Sequence, residues 1–278
     1  MNSFSLSRMV QSVLLILLCN LARVAAQTSN TASPRTIGRD LKLVAQSAGH
    51  VLASPLRWHG KEWARFGLVV GGTIALSFGD EKVNDFFKRN SSRTADKFAQ
   101  IGEQYGEPRT VVILTGGVYA VGLLAQNEWL RESAVILTGA LLPAGLMQTA
   151  AKITAGRARP HLGLGYDTFE PFRREEAYYS FVSGHTMVAM ATSHVFAKRL
   201  DNLAIKAGLY GLGALAGISR MYHEDHWFSD VVLGGALAIT SVNSAAKFVE
   251  RRKRMEFKTG LHWRVQPHAR GIAITMRW

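Results

Sequence analysis

The 278-residue sequence contains almost no cysteine: Cys19 is the only one, and it lies inside an apolar N-terminal segment. Leu17 and Leu18 precede it and make a poor lipoprotein signal. Without other cysteines, the rest of the chain cannot form a disulfide framework, a cysteine-based metal site or a cysteine nucleophile. Its chemistry must come from other side chains.

Acidic residues are also scarce. Asp and Glu total 20 against 33 Lys and Arg, which gives a net charge of +13. This excess suits an anionic partner, namely nucleic acid, an acidic membrane surface or a phosphorylated substrate. The sequence has no zinc finger and no aromatic RNA-binding signature, and its basic residues lie between apolar stretches rather than along one helix. We therefore expect a membrane or a phosphorylated compound as partner, and no nucleic acid.

The N-terminus has the order of features found in a secretory signal peptide. Arg8 precedes an apolar stretch over residues 9–21, and small residues follow at 24–26. A charged start, a short apolar middle and a small-residue end predict a signal peptide over residues 1–26, cleaved after Ala26. An uncleaved membrane anchor is the alternative.

Long apolar runs are few, but shorter ones recur after a polar region at residues 27–65, which has one amphipathic patch at 41–52. Their lengths and their Gly and Ala content favour helices over strands. They predict an all-α bundle of about six core helices. The six stretches are residues 66–78, 111–125, 134–151, 186–197, 203–218 and 231–246.

The same stretches leave two environments open. Several are shorter than the roughly 20 residues that span a bilayer, and the mean hydropathy of the chain is only +0.04. A membrane-embedded bundle is the first interpretation, and a soluble periplasmic bundle is the alternative.

Loop charges predict an orientation. Lys198, Arg199 and Lys206 flank one short connection, and residues 251–254 are all basic. Because basic loops stay in the cytoplasm, the opposite helix ends should face outward. A cleaved signal peptide together with a full crossing by residues 66–78 would reverse this side. Either that stretch does not simply cross the membrane, or the signal is retained.

The last segment, residues 251–278, is a basic tail in which apolar and polar residues alternate over 261–265 and 271–278. With a turn near Pro267, this alternation predicts a short C-terminal β-hairpin.

Three polar segments between the apolar stretches carry the candidate chemistry. In the first, Lys152 and Arg159 are seven residues apart, so that on one helix they would share a face, roughly 10 Å apart along the axis. Pro160 should end that helix and leave Arg159 at its rim. Arg presents a planar fork to phosphate oxygens, and Lys supplies a compact charge. The alternative is an ordinary solvated basic pair.

The second segment places Ser183, Gly184 and His185 directly before an apolar helix. Ser183 suits an N-cap. Gly184 lets backbone N–H groups approach an anion at the helix N-terminus, where negative charge is favoured. His185 could then give a proton to a leaving oxygen. Alone, the segment also fits a capped helix with an ordinary surface histidine.

The third segment carries Arg220, His226 and Asp230. His226 and Asp230 are four apart, which on a helix places them on one face. A carboxylate on one ring nitrogen would fix the tautomer and make the other nitrogen a better nucleophile. His223 and His226 could instead suggest a metal site, but their spacing lacks the two-histidine pattern of helical zinc enzymes, and no metal is predicted.

Together, the three segments contain three cations against one carboxylate, a local charge near +2 that matches a phosphate dianion. A nucleophile, an orienting carboxylate, a proton donor and an anion cradle are all present, as metal-free phosphoryl transfer requires.

With these blocks the chain resembles the type-2 phosphatidic acid phosphatase superfamily, which is related to the vanadium haloperoxidases. That signature is Lys, six residues, Arg-Pro; Pro-Ser-Gly-His; and Ser-Arg, five residues, His, three residues, Asp. Val182 stands where the family usually has Pro. The resemblance covers residues 66–250, the predicted helical domain, with the active site at one end of the bundle.

The resemblance implies a role for each block. His226 would attack phosphorus, Asp230 would hold its tautomer, and His185 would protonate the leaving group and later activate water. Arg157 would lie either behind the site or on the outer surface, while His161, His194 and His223 would be structural. No cofactor is implied. The phosphate oxygens would be held by Lys152, Arg159, Arg220, Ser183 and Gly184.

The predicted function is a metal-independent phosphatase that hydrolyses a lipid phosphate or diphosphate through a phosphohistidine. It would act in a bacterial inner membrane with the site facing the periplasm. Candidate substrates are phosphatidate, phosphatidylglycerol phosphate, a polyprenyl diphosphate and lipid A. The alternatives are a soluble periplasmic acid phosphatase of broad specificity, a vanadate haloperoxidase and a non-catalytic anion-binding membrane protein.

Overall fold

The computed structural model describes residues 34–259, 262–268 and 271–277. The predicted signal peptide, residues 1–26, lies outside these described residues. The described residues form nine α-helices and two strands. The helices are α1 Pro34–Leu52, α2 Gly60–Ser77, α3 Asp80–Arg89, α4 Arg93–Gly106, α5 Pro108–Leu124, α6 Glu128–Ala155, α7 Gly184–Lys198, α8 Leu203–Tyr222 and α9 Phe228–Thr259. The strands are β1 His262–His268 and β2 Gly271–Arg277.

Each of the six apolar stretches forms a helix, in α2 and in α5 to α9, and only the first two extend one residue past the helix end. The predicted all-α bundle is confirmed. Helix α6 contacts α1, α5, α7 and α9. Its buried Leu137 and Ala140 belong to one core cluster with Val195 of α7 and Val242 of α9. Burial of these apolar side chains is the main force that holds the helices together.

Helices α3 and α4 were not anticipated, because their sequences are polar on average and patterned for one apolar face only. Helix α4 packs closely on α8. A Cβ on Gly102 would lie 2.3 Å from the Leu215 carbonyl oxygen, so a glycine is needed at this helix contact.

Two helix boundaries differ from the prediction. Helix α6 ends at Ala155, because Gly156 adopts the left-handed conformation with φ of 56°, and a Cβ there would lie 1.7 Å from the Glu170 carbonyl oxygen. Arg159 is therefore on an extended segment and not at the rim of the helix. Helix α9 begins only at Phe228, so His226 precedes it and does not share a helical face with Asp230.

The bundle has two chemically distinct ends. The C-terminal ends of α6 and α8 and the N-terminal ends of α7 and α9 carry the three polar segments. At the other end, Arg199, directly after α7, pairs with Glu132 of α6 at 2.8 Å, and Lys253 of α9 lies 3.1 Å from Glu128. We call these the site end and the basic end.

Helix α1 lies across α6 and α9. Its fully buried Ser47 contacts α6, where a Cβ on Gly139 would lie 2.8 Å from the serine hydroxyl. The His50 ring is 4.9 Å from the ring of Phe248 in α9. Asp40 pairs with Arg131, close to the start of α6. The amphipathic patch predicted in the N-terminal region is thus part of a helix that covers the bundle.

Two of the described helices are long and apolar enough to cross a membrane. They are Glu128–Ala155 and the Phe228–Met255 part of α9, with 50% and 39% of their apolar windows buried. Length and composition are the only criteria here, and a buried core helix of a soluble protein meets them as well.

The tail forms the predicted antiparallel hairpin, in which β1 pairs with β2. Its turn was predicted near Pro267, but Pro267 pairs with Ile272 inside the ladder, and the last pair is His268 with Gly271. The ladder therefore continues past Pro267 to His268.

Candidate active site

A cavity of about 860 Å³ begins at the site end. It brings together six of the eight residues predicted for the site, from all three polar segments. The lining includes Lys152, Arg159, Gly184, His185, Arg220 and His226. Ser183 and Asp230 are not part of this lining and are fully buried. The structure therefore assembles the predicted cations and histidines around one space.

His226 is held by the backbone and not by the predicted carboxylate. Its Nδ1 lies 2.5 Å from the Ser180 carbonyl oxygen. Because a carbonyl oxygen only accepts, Nδ1 carries the proton and Nε2 is the unprotonated nitrogen of the neutral ring. The prediction that Asp230 binds the ring was therefore wrong, because the Ser180 carbonyl oxygen occupies that position. The predicted result, a single tautomer with one unprotonated nitrogen, still holds.

The surroundings of His226 favour its neutral form. The residue is only 4% exposed. Burial, together with the positive charges of Lys152 and Arg159, holds the pKa of His226 well below its usual value near 6.5. Desolvation and nearby cations both disfavour the imidazolium. An unprotonated ring nitrogen is therefore present at neutral pH, as a nucleophile requires.

Asp230 binds the neighbours of the His226 ring. Its carboxylate accepts a hydrogen bond from the Ser180 hydroxyl at 2.6 Å and from the Trp227 N–H at 3.1 Å. Ser180 and Trp227 are, respectively, the hydrogen-bond partner and the chain neighbour of His226. Asp230 thus fixes the two groups that surround the imidazole.

Arg157 was predicted to lie either behind the site or on the outer surface. The structure has it behind the site, with its side chain only 3% exposed. Its guanidinium donates to Asp230 at 2.7 Å and to Asp80 at 2.8 Å. Asp80 also accepts from the Ser229 N–H at 2.9 Å and from the Ser229 hydroxyl. We call these residues the Arg157 network: Arg157, Asp80, Asp230, Ser180 and Ser229.

Arg159 and Arg220 form an arginine pair that is joined by Asp225. Arg159 is 3.1 Å from one Asp225 oxygen, and Arg220 contacts the other. Further carboxylates contact each guanidinium, Glu176 at 3.3 Å from Arg159 and Glu103 at 3.2 Å from Arg220. The predicted local charge near +2 is therefore too high, because it left out Asp225, Glu176 and Glu103.

The arginine pair nevertheless has unused donors. The Nε atoms of Arg159 and Arg220 are buried and have no hydrogen-bond partner among the described residues. Buried polar groups are nearly always hydrogen-bonded, and exceptions often mark functional positions. Both arginines line the cavity beside Lys152. An anion in the cavity would satisfy these donors.

The second segment is arranged partly as predicted. Ser183 is the N-cap residue of α7, but its hydroxyl bonds to the Thr186 hydroxyl at 2.8 Å and is not exposed to the cavity. Gly184 faces Gln148, whose Nε2 would lie 3.1 Å from a Cβ at this position. His185 Nε2 is 3.2 Å from a carboxylate oxygen of Glu107, which sequence reasoning had not considered.

The other histidines lie outside the cavity lining. His161 Nδ1 contacts the Glu224 carbonyl oxygen at 3.2 Å, and His194 contacts Tyr210 and Asn243. His223 is exposed and lies against Tyr222. In the described part of the chain, no three His, Cys, Asp or Glu residues are grouped so that they could hold a metal ion.

Beyond the polar residues, the cavity wall is apolar and continues between α1, α5 and α6. It includes Val111 of α5, Leu141 of α6 and Val44 of α1. Two lining side chains, Val112 and Leu142, are 72% and 55% exposed, which shows that the cavity opens on the side of the bundle.

The structure adds residues that local sequence signals did not reveal. Asp80 is 77 residues from Arg157 in the chain, and no motif surrounds it. Ser180, Glu107 and Gln148 are likewise ordinary polar residues until the fold brings them to the site. Asp225 is adjacent to His226 in the chain but is not one of the predicted site residues.

Comparisons with known proteins agree with the geometry. The sequence profile described as "PAP2 superfamily" matches residues 133–254. No curated protein matches the chain. Among solved structures, LpxE of Aquifex aeolicus has 19% sequence identity and a TM-score of 0.50, with 60% of this chain and 94% of that chain covered. The transmembrane PAP2-type phosphatidylglycerolphosphate phosphatase of Bacillus subtilis has 20% identity and a TM-score of 0.56, with 70% of this chain and 99% of that chain covered.

Proposed function

Because residues 133–254 match the PAP2 superfamily profile, we propose that this chain is a phosphatase of that superfamily and that it hydrolyses a lipid phosphate or diphosphate through a phosphohistidine. One observation carries the proposal. The cavity has a cation cluster with a buried histidine at one end, and an apolar, laterally open wall along the rest. A phosphate with a hydrocarbon chain matches both parts.

The first step is attack by His226. Its Nε2 lone pair forms an N–P bond while the bond from phosphorus to the leaving oxygen breaks. His185 gives its proton to that oxygen, which leaves as an alcohol or, from a diphosphate, as a phosphate. In the second step, His185 takes a proton from water, whose oxygen attacks phosphorus. The N–P bond breaks, so that inorganic phosphate is released and His226 is regenerated.

The cations stabilise the transition state. Lys152, Arg159 and Arg220 hold the equatorial oxygens. The two arginines gain these contacts as the anion replaces Asp225. The N–H of Gly184, at the N-terminus of α7, adds a backbone donor where the helix favours negative charge. Preorganised donors of this kind provide most of the rate enhancement in phosphoryl transfer. Ser183 supports the loop that presents them.

The basic end supports a location for the site. Lys198, Arg199 and residues 251–254 lie at the opposite end of the bundle from the three polar segments. If the basic end is cytoplasmic, as such charges favour, the catalytic groups face the periplasm and take their substrate from the outer leaflet of the inner membrane.

Phosphate release in the presence of EDTA tests the catalytic proposal. We expect wild-type protein to release phosphate from a phosphorylated lipid in EDTA and to be inhibited by vanadate. His226→Ala should lower kcat by about 10⁴-fold or more. His223→Ala is the matched control, because His223 is exposed, three residues away and outside the cavity lining. Equal release by His226→Ala and wild type would refute the nucleophile, and no release by either would favour an anion-binding protein.

A soluble periplasmic acid phosphatase is the second candidate, because only two of the described helices are long and apolar enough to span a membrane. Osmotic shock distinguishes the candidates. Retention of the protein in the membrane until detergent is added supports a lipid phosphatase, whereas release by shock alone supports the soluble enzyme.

Labelling of single cysteines tests the orientation. After Cys19→Ser, a cysteine is introduced either at Leu164, which is 51% exposed near the site end, or at Asp201, an exposed residue between α7 and α8 at the basic end. We expect a membrane-impermeant maleimide to reach position 164 in cells with a permeable outer membrane, and to reach position 201 only after the inner membrane is opened. The reverse pattern would contradict the orientation.

A further inference from the structure

The cavity follows one face of α6 along most of that helix. Lining residues of α6 run from Lys152 at the polar end to Ala134, at spacings of one or three residues that keep them on one side. At a rise of 1.5 Å per residue, these two ends are roughly 27 Å apart. Half of a bilayer's hydrocarbon core is about 15 Å thick. The cavity is therefore long enough for an extended hydrocarbon chain.

The far end of this cavity is polar again. Asp40 of α1, only 5% exposed, accepts a hydrogen bond from Arg131 Nε at 2.9 Å and from the Tyr119 hydroxyl at 3.2 Å. Asp40 and Tyr119 line the cavity, and Arg131 lies one turn of α6 beyond Ala134. We call these three residues the terminal cluster.

We propose that the terminal cluster limits the length of the hydrocarbon chain that the enzyme accepts. The inference rests on the proposed lipid phosphatase function and specifies its substrate. With the phosphate fixed at the cation cluster, each added methylene extends the chain toward Asp40. A longer chain would have to displace a buried, paired carboxylate and its hydrogen bonds, which is unfavourable.

The limit would be a property of this chain. Asp40, Tyr119 and Arg131 all precede residues 133–254, the region that matches the superfamily profile. Helix α1, which supplies Asp40, is fixed across α6 and α9 by Ser47 and His50. The end of the cavity is therefore formed by an element outside the matched region.

The limit can be measured as the dependence of kcat/KM on chain length. The substrates are n-alkyl phosphates, from butyl to eicosyl, supplied as monomers in dilute solution. Burial of each methylene should raise kcat/KM by up to about fourfold. We expect this rise to stop at one chain length, where the chain end reaches the terminal cluster. We call this length the break. A rise that continues without a break through the whole series would overturn the inference.

Gly116→Leu should move the break to shorter chains. Gly116 lines the cavity one turn of α5 nearer the cation cluster than Tyr119, about 4.5 Å along the axis. A Cβ at Gly116 has nothing within 4 Å, so this part of the cavity wall has room for a larger side chain. Gly71→Leu is the matched control. It is also an exposed helical glycine with nothing within 4 Å, but it lies on α2, outside the cavity lining. Its break should equal that of wild type.

Changes at Tyr119 test the cluster itself. Tyr119→Ala opens space beside Asp40 and should move the break to longer chains, whereas Tyr119→Phe keeps the ring and should leave it in place. If both Gly116→Leu and Tyr119→Ala hydrolyse alkyl phosphates with an unchanged break, this inference is overturned while the proposed function stands. Failure of the wild-type protein to hydrolyse any member of the series would overturn the proposed function, and this inference with it.

Discussion

Arg157 and Arg159 are two residues apart in the chain but lie in opposite surroundings. Arg157 is 3% exposed, and its guanidinium contacts Asp80, Asp230, the Ser229 hydroxyl and the Tyr166 carbonyl oxygen. Arg159 is 14% exposed, lines the cavity and has a buried Nε with no partner among the described residues. One arginine is saturated by the protein, and the other has hydrogen-bonding capacity left.

This difference teaches how one residue type serves two purposes. A buried guanidinium with complete partners stabilises the groups around it, because losing one partner would leave a charge in a medium that does not solvate it. A guanidinium with a free donor beside a cavity is available to a ligand. We therefore expect the Arg157 network to control stability and the arginine pair to control turnover.

The largest effect is expected on stability, from Arg157→Met. The substitution leaves Asp80 and Asp230 buried without their cation, and we expect the free energy of unfolding to fall by about 3–5 kcal/mol. Denaturant titration in detergent solution measures it. The control is Arg89→Met, since Arg89 is 79% exposed and its pair with Asp85 contributes little. Equal stability of the Arg157 and Arg89 variants would remove the distinction between the two arginine environments.

Arg159→Met should have the complementary effect. We expect kcat to fall by about 10²- to 10³-fold, the usual cost of removing one donor to transition-state charge, without a comparable loss of stability. Phosphate release and denaturant titration on the same preparation test both parts. If Arg159→Met unfolds the protein as readily as Arg157→Met does, Arg159 is structural and the comparison fails.

The pH dependence of kcat/KM sharpens the comparison through His226, which lies between the two regions. Its pKa is lowered, so the neutral nucleophile persists as the pH falls, and the acid limb should lie well below pH 6.5. Arg159 contributes to this lowering. In Arg159→Met the imidazolium is less disfavoured, the pKa of His226 rises, and the acid limb should move to higher pH.

The same substrate must be used for both proteins, so that its own ionisation cancels in the difference. An acid limb that stays in place, or that moves to lower pH, would show that Arg159 does not act on His226 through its charge.

The smallest effect is expected from Asp225→Asn. The carboxylate joins Arg159 to Arg220 and competes with an anionic ligand for both. Because a partly exposed ion pair contributes up to about 1 kcal/mol, its loss should tighten inhibition by inorganic phosphate by up to about fivefold. Competition assays measure this. Weaker inhibition would mean that Asp225 orients the arginines for the anion instead of competing with it.

Much of the fold follows from local patterns. The six apolar stretches lie in helices because side-chain hydrophobicity and Gly and Ala content act over a few residues. The amphipathic α3 and α4 were missed, since their mean composition is polar. The end of α6 at Gly156 was missed for a different reason. The residue must be glycine because of Glu170 in a loop that packs against it, and this contact is not a local signal.

The candidate site shows the same division. The chemical identity of Lys152, Arg159, Arg220, His185 and His226 could be predicted, because each belongs to a short block with a recognisable spacing. The residue that holds the His226 ring could not be predicted. Ser180 occupies that position because the loop after Arg159 returns beneath the imidazole, a path that depends on contacts such as the Ser180 N–H to the Arg157 carbonyl oxygen at 3.1 Å.

The sequence by itself determined that the six apolar stretches are helical and which reactive groups are present, since both depend on residue type and short-range spacing. Only the tertiary structure decided which arginine is saturated, which has a free donor, and which carbonyl group holds the candidate nucleophile. Burial and pairing depend on residues far apart in the chain, such as Arg157 and Asp80. A guanidinium becomes a structural or a ligand-binding group only when the fold has fixed its partners.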